Sequence, residues 1–243
     1  MYTFERLSDE VHIAVSEDHT FGTDALLLAY FAKPKGRDIA IDMGTGCGII
    51  PLLWLRNESP KTVHCLDIQQ NAYEQVQCSI ERNGFKERLI PHLCDLREIE
   101  KHFTAESFTL VTMNPPYKPL NTGIESLSES ARIARHEVCC NIEDTVKAAA
   151  YLLKYGGRFC MCHRPERLVD CISSMRKHAL EPKRLRFVVD KEGKEPFLFL
   201  IEGRKSSKPF LKVEPTLSIK KENGKFTEEM LKVYGSYADG YDK

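Results

Sequence analysis

Short apolar runs alternate with amphipathic stretches along most of this chain. Residues 39–43, 62–68, 89–94 and 108–113 are compact apolar segments of strand length, suited to strands buried on both faces. Between them, residues 48–56 and 71–83 carry helical spacing, the second ending at Gly84, and residues 24–32 read as a helix ahead of the first strand. Residues 118–130, rich in Ser, Asn and Gly and without periodicity, are expected to form a mobile loop. Helix returns at 142–153, and Gly156-Gly157 is expected to stop it before a strand at 158–163. Residues 167–178 are again helical. Residues 184–189 and 196–202 read as two strands joined by the polar turn 190–195, an antiparallel pair.

Such alternation predicts an α/β fold with a mostly parallel sheet and crossover helices on both faces. Functional loops of such a sheet gather at the carboxyl ends of its strands. Residues 1–20 can pair as a short β-ribbon, with Phe4, Val11 and Ile13 as packing residues. One edge strand is expected within 209–221, and 235–243 reads as a frayed tail. One domain is expected over 1–243: a lead and helix at 1–37, a core at 38–205 and an extension at 206–243.

Composition narrows the class. A chain of 243 residues can bury one sizeable core. No stretch approaches the roughly 18 apolar residues of a membrane span, and residues 1–9 lack a basic-then-apolar leader, so a soluble, cytoplasmic protein is expected. The nine cysteines include no C-x-x-C pair. Cys65, Cys94, Cys160 and Cys162 sit in apolar runs, as buried thiols rather than metal ligands do. Cys47 lies in a glycine turn, and the neighbours Cys139 and Cys140 cannot sensibly pair with each other. The net charge of zero hides an asymmetry: residues 1–150 carry 15 Lys and Arg against 22 Asp and Glu, a balance of −7, whereas residues 151–243 carry 20 against 13, a balance of +7. Arg164, Arg167, Lys183, Arg184, Arg186, Lys191, Lys194, Arg204, Lys205 and Lys208 are candidates for a phosphate-facing surface, or for an ordinary solvated one.

Two motifs carry chemistry. Asn114-Pro115-Pro116-Tyr117 directly follows the apolar run 108–113. The Asn114 side-chain oxygen and the Pro115 carbonyl can each accept an N–H from a planar amino or amide nitrogen, while two prolines stiffen the backbone that holds them. Tyr117 can lie against a flat group. The alternative is a plain loop opener. Upstream, an apolar strand runs through Asp42 into Gly44-Thr45-Gly46-Cys47-Gly48 and an apolar helix, an arrangement suited to a nucleotide-like ligand. The spacing G-x-G-x-G departs from the dinucleotide fingerprint and disfavours a pyrophosphate cofactor. Asp67 and Asp95 end the next two strands, where an acidic side chain either binds ribose or adenine or caps the following helix.

These motifs, in this order, resemble the S-adenosylmethionine-dependent amino-methyltransferases of the Rossmann-like class I. Phe21-Gly22-Thr23-Asp24-Ala25-Leu26-Leu27-Leu28 and Ala134-Arg135-His136-Glu137 are further similar to the bacterial tRNA-Val adenine-N6-methyltransferase family. The resemblance runs from about Phe21 to about Lys205. It implies a seven-stranded, mostly parallel sheet with one reversed edge strand. It implies S-adenosylmethionine as cofactor, held by Thr23, Asp42, Gly44, Gly46, Asp67, Ile68, Asp95, Leu96 and Asn114. It assigns catalysis to Asn114, Pro115 and Tyr117, and substrate contact to Pro116, Tyr117, Arg135 and His136. The substrate implied is RNA, a tRNA adenosine near the anticodon, with no metal. A protein glutamine-amide methyltransferase would use the same turn but usually brings a separate helical domain, and a DNA adenine methyltransferase generally adds a target-recognition domain. A non-catalytic RNA-binding module is the remaining alternative.

Overall fold

The computed structural model describes residues 2–17, 19–115 and 141–240. It opens with an antiparallel ribbon, β1 (Thr3–Arg6) and β2 (His12–Val15). Then follow α1 (Thr23–Ala32), β3 (Ala40–Met43), α2 (Ile49–Arg56), β4 (Val63–Asp67), α3 (Gln70–Asn83) and β5 (Leu89–Leu93). A 3-10 turn (Leu96–Lys101) leads to β6 (Phe108–Met113). Beyond residue 140 come α4 (Ile142–Leu152), β7 (Leu153–His163), α5 (Leu168–Lys177), β8 (Leu180–Lys191) and β9 (Leu198–Lys205). The chain ends in β10 (Lys212–Val213), β11 (Leu217–Lys220) and α6 (Glu228–Tyr234).

Among the described residues, nine strands form one sheet in the spatial order β10-β8-β9-β7-β6-β3-β4-β5, with β11 also pairing β8. Neighbours pair parallel except around β9, which is antiparallel to both β7 and β8. This corrects two expectations. The reversed strand lies one place in from β8 rather than at the edge, because the hairpin from β8 folds back between β8 and β7. The sheet also exceeds seven strands: the segment 209–221 supplies two short strands, not one, each pairing along a different half of β8.

Every residue of β3 is buried, which is why its sequence is a continuous apolar run broken only by Asp42. Ala40 packs with α1, α2 and α3 on one face, while Ile41 and Met43 pack with α4 and α5 on the other. From β3 the chain first builds outward through β4 and β5, then returns to β3's other side as β6. That reversal opens a crevice at the carboxyl ends of β3 and β6, where ligands of such sheets bind.

Gly156 and Gly157 do not stop α4. The helix runs directly into β7 at Leu153, and the glycines lie where the register with β6 jumps from Leu153 to Arg158. A Cβ on Gly157 would fall 2.9 Å from both Leu153 Cδ2 and Lys154 O, so only glycine fits this bulge. Of the segment expected to fray, Gly235–Gly240 forms a 3-10 turn, and 241–243 lie outside the described residues. The Tyr237 ring packs tilted against Phe21, centroids 5.6 Å apart, and its hydroxyl donates to Glu5 Oε2 at 3.1 Å. Arg56 Nη1 donates both to Leu7 O and to Tyr234 O, tying the two chain ends across α2. No described helix is long and apolar enough to cross a membrane.

Candidate functional site

The glycine turn is tied to the end of β4 and to Asp42. Thr45 N donates to Leu66 O at 3.0 Å, and Gly46 N donates to Asp67 Oδ2 at 2.9 Å, so the end of β4 fastens the turn. Gly44, Gly46 and Gly48 all have positive φ, and Gly48 caps α2. A Cβ at Gly48 would come within 3.0 Å of Val76 Cγ2, and one at Gly44 within 3.4 Å of Met113 Cε. The turn therefore needs glycine for both conformation and space.

Asp42 braces the turn from below. Its Oδ2 accepts from Thr45 Oγ1 at 2.7 Å and its Oδ1 from Thr112 Oγ1 at 2.6 Å, with the side chain almost wholly buried. Burial pushes the Asp42 carboxyl up to about 7, against the two threonine bonds and with a smaller push from Asp67. Thr112 lies in β6 two residues before Asn114, which follows the strand, so Asp42 couples the glycine turn to the Asn-Pro turn.

Asp67 is buried at the end of β4, where Oδ1 also accepts from Gln69 N at 3.0 Å. Burial raises its pKa, opposed by the N–H groups of Gln69 and Gly46 and by nearby His19. Asp95 follows β5 and caps the 3-10 turn through Arg97 N at 2.8 Å; Arg97 Nε also donates to both its oxygens. Burial pushes the Asp95 carboxyl up, but Arg97 outweighs it and holds the group below the ordinary range. Asn114 and Pro115 close β6, and the Cys162 thiol donates to Asn114 Oδ1 at 3.1 Å. Thr23 begins α1, half-buried, behind the extended Gly22. Ile68 is 40% exposed beside Asp67, whereas Leu96 is buried against the α4 side of the core. Pro116, Tyr117, Arg135 and His136 lie outside the described residues, as do the 118–130 loop and Cys139-Cys140.

Thr112, Cys162 and His19 join this neighbourhood without having been singled out by sequence. Strand alternation could have found Thr112, at i−2 from Asn114; Cys162 was read only as a buried thiol, and His19 carries no local signal. The residue is 5% exposed, its ring lies 3.9 Å from where a Gly46 Cβ would stand, and neither ring nitrogen has a hydrogen-bond partner among the described residues.

Several cations proposed as a phosphate surface are engaged elsewhere. Arg184 pairs with Glu202 at 2.8 Å and Glu214 at 2.9 Å, Arg186 with Glu229 at 2.6 Å, Arg167 with Asp170 at 2.8 Å and Lys205 with Glu106 at 3.0 Å. Arg184 and Arg186 fasten the C-terminal extension to the sheet.

A family model described as "Methyltransferase small domain" matches residues 15–167. The chain is 25% identical over 161 residues to a tRNA1(Val) (adenine(37)-N6)-methyltransferase of Pasteurella multocida, covering 66% of this chain and 65% of the relative. It thus spans slightly less than two thirds of that relative's length. Against the protein of the same name from Phocaeicola vulgatus it is 26% identical, covering 72% of each. Among solved structures, a predicted O-methyltransferase from Agrobacterium tumefaciens superposes with a TM-score of 0.71 at 20% identity, over 88% of this chain and 96% of that one. The fold is therefore the Rossmann-like fold of class I methyltransferases.

Proposed function

Because this chain belongs to the methyltransferase small domain family, we propose that it methylates the exocyclic N6 of an adenosine in RNA, a tRNA adenosine near the anticodon, using S-adenosylmethionine. One observation carries this reading. The adjacent strands β5, β4, β3 and β6 bear at their carboxyl ends Asp95, Asp67, the glycine turn and Asn114-Pro115. Acidic groups suited to a nucleoside and acceptors suited to a planar amine thus follow the carboxyl ends of four neighbouring strands, which supports one shared site. The names of the Pasteurella and Phocaeicola relatives support RNA as the substrate class.

The residues fit such a cofactor. Gly44, Gly46 and Gly48 at positive φ leave the turn's N–H groups uncovered by any side chain of their own, and beside Gly46 lies an imidazole whose ring nitrogens have no hydrogen-bond partner among the described residues. In this reading the glycine turn and Thr23 hold the amino-acid end, Asp67 the ribose hydroxyls, and Asp95 the adenine, with Asp42, Ile68 and Leu96 shaping the pocket. When bound, S-adenosylmethionine supplies an electrophilic sulfonium methyl. Asn114 Oδ1 and the Pro115 carbonyl accept the two N–H bonds of the target amine, turning its lone pair out of conjugation and toward that methyl. Pro116 stiffens the turn, Tyr117 stacks on the base, and Arg135 and His136 contact the RNA. No strong base is required, since the alkylated nitrogen becomes acidic and loses its proton afterwards. Alignment and polarisation of this kind account for several kcal/mol.

Incubation with labelled S-adenosylmethionine and total RNA, DNA or protein in parallel, followed by digestion to monomers, tests the proposal. Label in N6-methyladenosine from tRNA is expected. Label in glutamine would transfer the same turn to a protein substrate, and no label in any pool would refute methyl transfer.

A further inference from the structure

His19 is placed with unusual care for a residue in a loop. Its backbone is fully engaged: Ser16 N donates to His19 O at 3.2 Å, and His19 N donates to Ser16 Oγ at 3.2 Å. The wholly buried Gln75 of α3 reaches across to hold the same loop. Its Nε2 donates to His19 O at 2.9 Å and to Ala14 O at 2.7 Å, and its Oε1 accepts from Ser16 Oγ at 3.0 Å. Every polar atom that fixes the loop is therefore satisfied, while the imidazole it delivers is not. Both ring nitrogens are buried and lack a hydrogen-bond partner among the described residues. A neutral imidazole always has one N–H to give and one lone pair to fill, so this ring carries a persistent demand for a partner.

The ring's surroundings identify that partner. Its Cδ2 lies 3.9 Å from where a Gly46 Cβ would stand. Gly46 N and Asp67 Oδ2 are themselves hydrogen-bonded, so His19, the glycine turn and the end of β4 form one cluster. We propose that His19 is a cofactor-binding residue that hydrogen-bonds the ribose hydroxyls of an S-adenosyl nucleoside alongside Asp67. This rests on the proposed cofactor and adds a residue that neither the glycine turn nor the strand-end aspartates reveal. A hydroxyl both donates and accepts, and so matches a ring that offers one of each. The lead segment, seated on the core through Leu7, Val11, Ile13 and Val15, carries that imidazole to the glycine turn.

The test uses the full chain and S-adenosylhomocysteine, with methylthioadenosine as a probe that keeps the ribose but lacks the amino acid. His19→Phe fills the same space without a hydrogen-bonding group. It should fold with an unchanged or higher Tm, since it removes two unsatisfied nitrogens, yet bind both probes about tenfold more weakly by calorimetry. His19→Gln should recover part of the loss. Asp67→Ala is the positive control and should weaken both probes at least as much. Binding by His19→Phe within about twofold of wild type overturns the assignment. Loss for S-adenosylhomocysteine but not for methylthioadenosine overturns the ribose contact. If the wild-type chain binds neither probe, the cofactor reading falls, and this inference with it.

Discussion

At the glycine turn, two buried carboxylates, Asp42 and Asp67, are met by hydroxyl and backbone N–H donors. Three strands along the same face, in the row that runs from Asp42 through Thr112 and Cys160, Glu202 is equally buried but lies between two guanidiniums, Arg184 Nη1 at 2.8 Å and Arg158 Nη1 at 3.6 Å. Arg158 continues to Asp38 and Arg184 to Glu214, so the network is a chain of five alternating charges. The difference separates two uses of buried charge. Where opposite charges meet, the arrangement is complete and holds the β7–β9–β8 side and its C-terminal extension together. Where carboxylates meet only neutral donors, next to glycines and an unsatisfied imidazole, the protein has left capacity for a polar ligand.

The sharpest break between the two regions should come from Asn114→Ala. It is expected to lower methyl-transfer turnover by about a thousandfold, as loss of an alignment and polarisation group does, while S-adenosylhomocysteine affinity and Tm stay near wild type. Lost cofactor affinity in calorimetry would contradict the catalytic role given to Asn114 and leave it only the cofactor contact that the resemblance also implies.

Asp42 sharpens the comparison through pH. In the folded chain its carboxyl titrates near 7 against an ordinary 3.8, so the fold holds this proton more tightly than the unfolded chain does. Its contribution to stability is greatest below about pH 4, falls as pH rises toward 7, and is level above that, a loss of up to about 4 kcal/mol. Asp42→Asn cannot ionise and escapes the decline. Urea unfolding at pH 5 and pH 8 should show the variant gaining on wild type at the higher pH. A constant difference would mean Asp42 is ionised at an ordinary pKa.

Glu202→Ala should do the reverse of Asn114→Ala. Stranding two guanidiniums is expected to cost about 3 kcal/mol of stability in urea unfolding, with cofactor affinity unchanged at a temperature where the variant is folded. The smallest expected effect is at Cys162. Its thiol donates to Asn114 Oδ1, and an asparagine amide rotates through a broad, roughly two-fold torsion. Cys162→Val should lower turnover about tenfold, whereas Cys162→Ser, which keeps a donor, should lose less despite packing less well. Turnover that follows Tm instead, with Val the better variant, would reduce the contact to packing.

Much of this arrangement was legible in one dimension. Apolar runs of strand length, with Gly44, Asp67, Asp95 and Asn114 at their ends, followed directly from the requirement that strands buried on both faces be continuously apolar and that polar groups gather where they stop. What failed had no local signature. Gly156-Gly157 reads as a helix stop in sequence, because a glycine pair looks the same at a bulge as at a terminus. The place of β9 between β7 and β8 depends on which edge the hairpin folds back along. The basic residues of the C-terminal half looked like a surface until Glu202, Glu214 and Glu229, distant in sequence, arrived opposite Arg184 and Arg186.

The sequence by itself determined the alternating α/β order, the glycine turn and the acceptor-bearing Asn-Pro corner, since each is set by residues within a few positions of one another. Only the tertiary structure decided that Thr112 links Asp42 to that corner, that Cys162 faces Asn114, and that His19 lies over Gly46. Those depend on strand neighbours and on a loop pinned by Gln75, contacts between residues tens of positions apart that no local propensity encodes.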